Sequence, residues 1–100
     1  MTQPREVEES PKYQGKNESK PYTFLWASVG TPTSPAVVIQ DAALTDKTAT
    51  LITGACSVVG NTVVTGLVHD LIAGQSYRLE CKVTISGAIY EAFLVIHGQE

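Results

Sequence analysis

Ten residues near the C-terminus constrain the fold most. In Ser76–Ile85 the side chains alternate strictly: Tyr77, Leu79, Cys81, Val83 and Ile85 share one face, and Ser76, Arg78, Glu80, Lys82 and Thr84 share the other. A strand repeats every two residues, so this is a strand with one apolar and one polar face. Immediately before it, Leu71-Ile72-Ala73-Gly74-Gln75-Ser76-Tyr77 has the form of a tyrosine corner. In that device a glycine (here Gly74) bends a loop over the end of a sandwich, and the tyrosine that begins the next strand (here Tyr77) hydrogen-bonds back to the loop backbone. Both features belong to a small antiparallel sandwich.

The rest of the chain from residue 22 carries the same signature. Tyr22–Trp26 alternates, and Ala36–Gln40, Thr48–Thr53, Ala55–Val59, Thr62–Thr65 and Ile89–Ile96 are strand-like. Gly60-Asn61 and Ser86-Gly87 supply hairpin turns. The two prolines of Gly30–Pro35 predict a loop there. Helical periodicity is not sustained, and Asp41–Leu44 would give one turn at most. The expectation is an all-β fold: an immunoglobulin-like antiparallel β-sandwich of about seven strands over residues 22–100, preceded by an extended N-terminal arm over residues 1–21.

The arm is set apart by its charge. Residues 1–20 hold eight of the 17 charged residues, and Met1, Val7 and Tyr13 are their only apolar side chains. Pro4, Pro11 and Pro21 punctuate the segment. Such a stretch buries too little apolar surface to order itself. A disordered tail and an arm laid along a neighbouring subunit are both open. The arm predicts Val7 and Tyr13 as apolar anchors, with Arg5, Lys12 and Lys16 pairing with acidic groups. On that reading the arm adds nothing to the domain's own core.

The terminal strand is apolar on both faces. Tyr90, Ala92, Leu94 and Ile96 form one, and Ile89, Phe93 and Val95 the other. Strands apolar on both faces are usually covered on both, so Ile89, Phe93 and Val95 are candidate contacts for a partner or for the arm. Residues 22–69 carry only Asp41, Asp46 and Lys47 as charges, which also points to exposed apolar patches and hence interaction surfaces.

The chemistry-bearing residues do not converge. Cys56 and Cys81 are the only cysteines, and Cys81 falls on an apolar strand face, where a thiol acts as a small hydrophobe. A disulfide between them is disfavoured by synthesis in a reducing cytoplasm. Neither has a metal-ligand neighbour, and His69 and His97 are isolated, so no metal and no cofactor is expected. His69 and Asp70 are adjacent, and alternation would turn them to opposite sides, away from a base–orienter pair. Glu80 is flanked by Arg78 and Lys82, the pattern of a solvated charge stripe. No catalytic residue is assigned. The net charge of −3 gives no reason to expect nucleic acid or an anionic membrane as a partner. The apolar runs are too short to span a bilayer, and the polar start does not resemble a signal peptide.

The opening strand Tyr22-Thr23-Phe24-Leu25-Trp26, the Pro/Thr/Ser-rich segment after it, Ala73-Gly74-Gln75-Ser76-Tyr77-Arg78-Leu79, the Ser86-Gly87 hairpin and the terminal strand together resemble the fibre–tail adaptors of tailed bacteriophages. The resemblance covers about residues 22–98. Leu25 stands where family members often carry an Asp. The resemblance implies an immunoglobulin-like domain in a virion, made in the host bacterial cytoplasm and without enzymatic activity. Its partners would be other virion proteins (neck, tail, fibre or capsid subunits), met in multiple copies per particle. A capsid decoration protein is the alternative within virions, and a carbohydrate-binding surface domain the alternative of another class. The latter would use Trp26 near Ser28.

Overall fold

The computed structural model describes residues 12–26 and 30–100 and the backbone of 5–6. The chain is all-β. In order it forms β1 (Arg5–Glu6), β2 (Lys12–Gly15), β3 (Thr23–Leu25), β4 (Thr33–Gln40), the single helical turn α1 (Thr48–Leu51), β5 (Ile52–Thr53), β6 (Ser57–Val59), β7 (Thr62–Val64), β8 (Leu67–Val68), β9 (Ser76–Ile85) and β10 (Ala88–Gln99).

The β9–β10 hairpin is the spine. Its ladder pairs Ala88 with Ile85 and continues through Leu94–Leu79 to His97–Ser76. β4 lies antiparallel on the free side of β9. On the free side of β10, β1 and β2 add in tandem, both parallel: Arg5 and Glu6 pair with Ala92 and Phe93, and Lys12–Gly15 pair with Ile96–Gln99. The result is a five-stranded sheet. The opposing elements are the three-stranded sheet β3–β7–β6 and the two-stranded sheet β5–β8. One apolar core lies between. Tyr77, Leu79, Cys81, Val83 and Ile85 of β9 and Ala92, Leu94 and Ile96 of β10 meet Phe24, Trp26, Leu51, Val63, Val68 and Leu71, all of them buried. The alternation of β9 is reproduced residue by residue.

Several sequence expectations need correction. Thr48–Leu51 is a helical turn, not a strand. The Asp46 carboxylate accepts the Thr48 N–H at 2.9 Å, and the Thr48 hydroxyl accepts the Ile39 N–H at 3.0 Å. Local side-chain bonds of this kind compete with extended backbone. Asp41–Leu44 is a turn, as expected, closed by Asp41, whose carboxylate accepts the N–H groups of Ala43 and Thr45. The strand after the proline-rich loop begins at Thr33 and contains Pro35. β4 tolerates it because β4 is an edge strand whose register breaks between Thr33 and Ala36, with Ser34 at φ 49°. The sheet does not begin at residue 22: β2, inside the expected arm, is an integral strand of the larger sheet. That sheet is therefore mixed rather than wholly antiparallel, and the described strands number ten rather than about seven.

Candidate interaction surface

The tyrosine corner is built as its sequence predicts. Gly74 turns at φ 86°, and the Tyr77 hydroxyl, on a side chain 4% exposed, accepts the Ile72 N–H at 3.0 Å. The loop is also laced to β10. Gly74 N–H donates to the Gly98 carbonyl and Gly98 N–H donates to the Gln75 carbonyl, both at 2.9 Å. A side chain at position 98 would collide with the Ile72 carbonyl, so the close approach of corner and strand requires glycine there.

On the other side of β10, Gly98 stands opposite Gln14 of β2. Gln14 is fully buried. Its amide N–H₂ donates to the Val68 carbonyl at 2.8 Å and to the Glu18 carbonyl at 3.0 Å, and its carbonyl oxygen accepts the Tyr22 hydroxyl at 2.7 Å. Burial, with a smaller contribution from the nearby Glu18 charge, pushes the Tyr22 phenol up to about 12. Gly15 N–H donates to the Glu18 carboxylate at 2.6 Å, and Lys16 N–H to the Gln99 carbonyl at 2.7 Å. Lys20 continues the contact through a bridge to Val68. Among the described residues this segment adds no side chain to the apolar core, but it is part of the domain: it supplies a strand and a buried polar clamp.

The predicted arm contacts fall as follows. Val7 lies outside the described residues. Arg5 is paired through its backbone in β1. Lys12 is half-buried at the start of β2. Tyr13 is 58% exposed and its ring stands 5.3 Å from that of His97, its ladder partner. Lys16 reaches an acidic group, but that group is Glu100 of the same chain, at 3.8 Å between two exposed side chains. Sequence reasoning missed Gln14, the residue that fixes the segment.

The outer face of the five-stranded sheet mixes charge and apolar surface. Phe93 and Val95 are half-buried and Ile89 is 47% exposed. The cover over Phe93 comes from its own sheet: the Arg78 guanidinium lies 4.1 Å from the ring centroid and pairs with Glu80 at 2.9 Å. Lys82 stands opposite Glu91. Cation–π contact and the Arg78–Glu80 pair set charge directly against this apolar surface. Beside Tyr13 an open groove of about 430 Å³ is lined by Gly15, Lys16, Glu18, Gln99 and Glu100. Another, of about 340 Å³, lies against the corner between Leu51, Ile72 and Tyr77, with Asp41, Lys47 and Asp70 at its rim.

His69 and Asp70 do meet, contrary to the alternation argument. Asp70 adopts φ 58°, which breaks the extended geometry, and its carboxylate lies 2.8 Å from His69 Nδ1. The other ring nitrogen lies 2.7 Å from the Thr53 hydroxyl. The neutral imidazole with hydrogen on Nδ1 satisfies both bonds, accepting the Thr53 O–H and donating to Asp70. The relay joins β5 to the chain leaving β8. The Asp70 side chain is 79% exposed. The relay serves as a polar clamp.

The remaining chemistry is internal. Cys56 and Cys81 are both free thiols, and burial, with a smaller contribution from Cys56, pushes the Cys81 thiol up to about 12, the Trp26 indole acting the opposite way. Trp26 is 4% exposed, so this ring offers no face to a sugar. Among the described residues no group of three or more His, Cys, Asp or Glu is placed to hold a metal ion, and no helix is long and apolar enough to cross a membrane. In comparisons with known proteins, no family model matches this chain, and no curated protein and no solved structure is significantly similar to it.

Proposed function

We propose that this chain is a structural protein of a tailed-phage virion, an immunoglobulin-like adaptor in the neck or tail region that links fibres or other components to the particle. The observation that carries the proposal is the use of the N-terminal segment as an edge strand of the main sheet, beside a face where Ile89, Phe93 and Val95 lie among paired charges. A module of this shape offers other proteins a strand edge and a semi-apolar face, the surfaces by which β-domains join assemblies. The resemblance of Tyr22–Trp26 and Ala73–Leu79 to the fibre–tail adaptors supplies the setting. Trp26 sits in the core, which removes the one side chain that spoke for carbohydrate binding.

The test is location. Particles assembled with an epitope-tagged chain should bind gold-labelled antibody at the neck or tail, in several copies. Particles assembled without the chain should lose fibres or fail to join heads to tails. Label spread over the whole shell would make the chain a decoration protein, and purified particles without it would sink the proposal.

A further inference from the structure

Tyr13 is held away from the core by the strand it belongs to. The bonds of buried Gln14 lock β2 on β10, so alternation turns Tyr13 and Gly15 to the outer face. There Tyr13 stands opposite His97, and Gly15 opposite Gln99. The Tyr13 ring is 58% exposed yet braced. It leans on the His97 ring at 5.3 Å, and the Ser76 hydroxyl holds that imidazole at 2.9 Å from Nδ1. Gly15 puts no side chain beside the tyrosine. The Glu18 carboxylate takes that place, held at 2.6 Å by the Gly15 N–H, and a Cβ at position 15 would stand 3.2 Å from its oxygen. The groove beside Tyr13 is also lined by Asn17 and Gln99, and its volume of about 430 Å³ falls in the range of small-ligand clefts.

We propose that this groove is a binding site for a neutral oligosaccharide, a function beyond joining the chain to a particle. The chemistry of the lining groups selects the class. A pyranose ring has an apolar face of C–H groups and a rim of hydroxyls that both donate and accept. The C–H face packs on an exposed aromatic ring. The rim meets a carboxylate, which accepts, and two amides, which donate and accept. Charge favours a neutral ligand. Glu18 lies 4.0 Å from Lys20, and Glu100 lies 3.8 Å from Lys16, so each carboxylate of the groove has a lysine beside it. Ring and carboxylate are both held before any ligand arrives, so binding has less side-chain freedom to remove. The buried Trp26 takes no part in this surface.

An array of neutral oligosaccharides built from glucose, galactose, mannose, rhamnose and N-acetylhexosamines is the probe. The full-length protein should bind members of it, and titration calorimetry with the strongest binder gives the reference affinity. Tyr13→Ala should weaken that affinity about tenfold or more, while Tyr13→Phe, which keeps the ring, should stay within about threefold. Glu18→Gln keeps an oxygen for the Gly15 N–H but loses the charge-assisted bonds to hydroxyls, and should weaken binding several-fold. Melting curves of the three variants should stay close to the parent's, which separates lost recognition from lost fold. No binding on the array, or binding that Tyr13→Ala leaves unchanged, overturns the proposal. So does a loss in Tyr13→Phe as deep as that in Tyr13→Ala, because the ring face would then not be what recognises the ligand. Decaproline represents the other ligand class that packs on exposed tyrosines. Its binding without saccharide binding would make the groove a peptide site and overturn the saccharide assignment. None of these readouts depends on where the chain sits in a particle, so failure here is distinct from failure of the virion assignment.

Discussion

Replacing Gln14 by leucine should cost the domain far more than a change in a charged N-terminal segment ordinarily would. Leucine approximates the shape of the side chain and removes its amide. Three bonds are lost: to the Val68 carbonyl, to the Glu18 carbonyl and from the Tyr22 hydroxyl. The Val68 carbonyl keeps the Lys20 N–H at 3.1 Å, and the only part-buried Glu18 bond can be replaced by water. The Tyr22 hydroxyl has no such recourse, since the residue is 7% exposed and Gln14 is its acceptor. Two buried bonds at about 1 kcal/mol each, plus about 1–3 kcal/mol for an orphaned hydroxyl, less the gain from a buried leucine, give a loss of about 2–4 kcal/mol. At this chain length that lowers the melting temperature by at least about 8 °C. Circular dichroism melts and urea titrations of the full-length protein would measure it. Tyr22→Phe removes the same orphan from the other side, so the double variant should be less destabilised than the sum of the singles, with a coupling of about 1 kcal/mol or more. A Gln14→Leu shift smaller than about 4 °C, or strict additivity with Tyr22→Phe, would refute the clamp.

Three further outcomes follow from the same core. Tyr77→Phe removes the acceptor of the Ile72 N–H and should cost about 1 kcal/mol by thermal or chemical denaturation; an unchanged melting curve would show that the corner bond contributes nothing. Leu79→Ala at a fully buried position of β9 should cost about 2–5 kcal/mol in the same assays, and a near-neutral effect would place the β9 register in error. The raised phenol of Tyr22 makes stability fall in alkali: its contribution is complete below the ordinary value of 10.0 and is lost as pH rises towards about 12, so a pH series of urea midpoints should decline across that window and should do so less in Tyr22→Phe.

Much of the fold was legible because its apolar pattern is periodic where the core is. β9 declares itself by alternation, and the corner by a glycine and a tyrosine at a fixed offset. Gly60 at φ 61° and Gly87 at φ 82° turn where the dipeptides predicted hairpins. The failures are local and arise where the backbone leaves regular geometry. Asp46 and Thr48 turned an expected strand into α1, and Asp70 in a left-handed conformation brought together a histidine and carboxylate that alternation would separate. Asp is among the few side chains that reach that conformation at low cost. Periodicity assumes regular backbone and says nothing where one residue leaves it.

The N-terminal strand was illegible for a different reason: its alternation is present but inverted. In Lys12-Tyr13-Gln14-Gly15 a hydrophobic reading sends tyrosine inward, yet Tyr13 is the exposed residue and Gln14 the buried one. The inward site is polar, made by the Tyr22 hydroxyl and the Val68 carbonyl, and those groups exist together only once β3 and β8 have brought their neighbourhoods into place. The amide is matched to them in both senses, donating on one side and accepting on the other. A slip of one residue would present Tyr13 or Gly15 to the polar site and leave its bonds unmade. An apolar anchor would tolerate such slippage better, because apolar contact is not directional. The clamp thus fixes the register of β2 on β10.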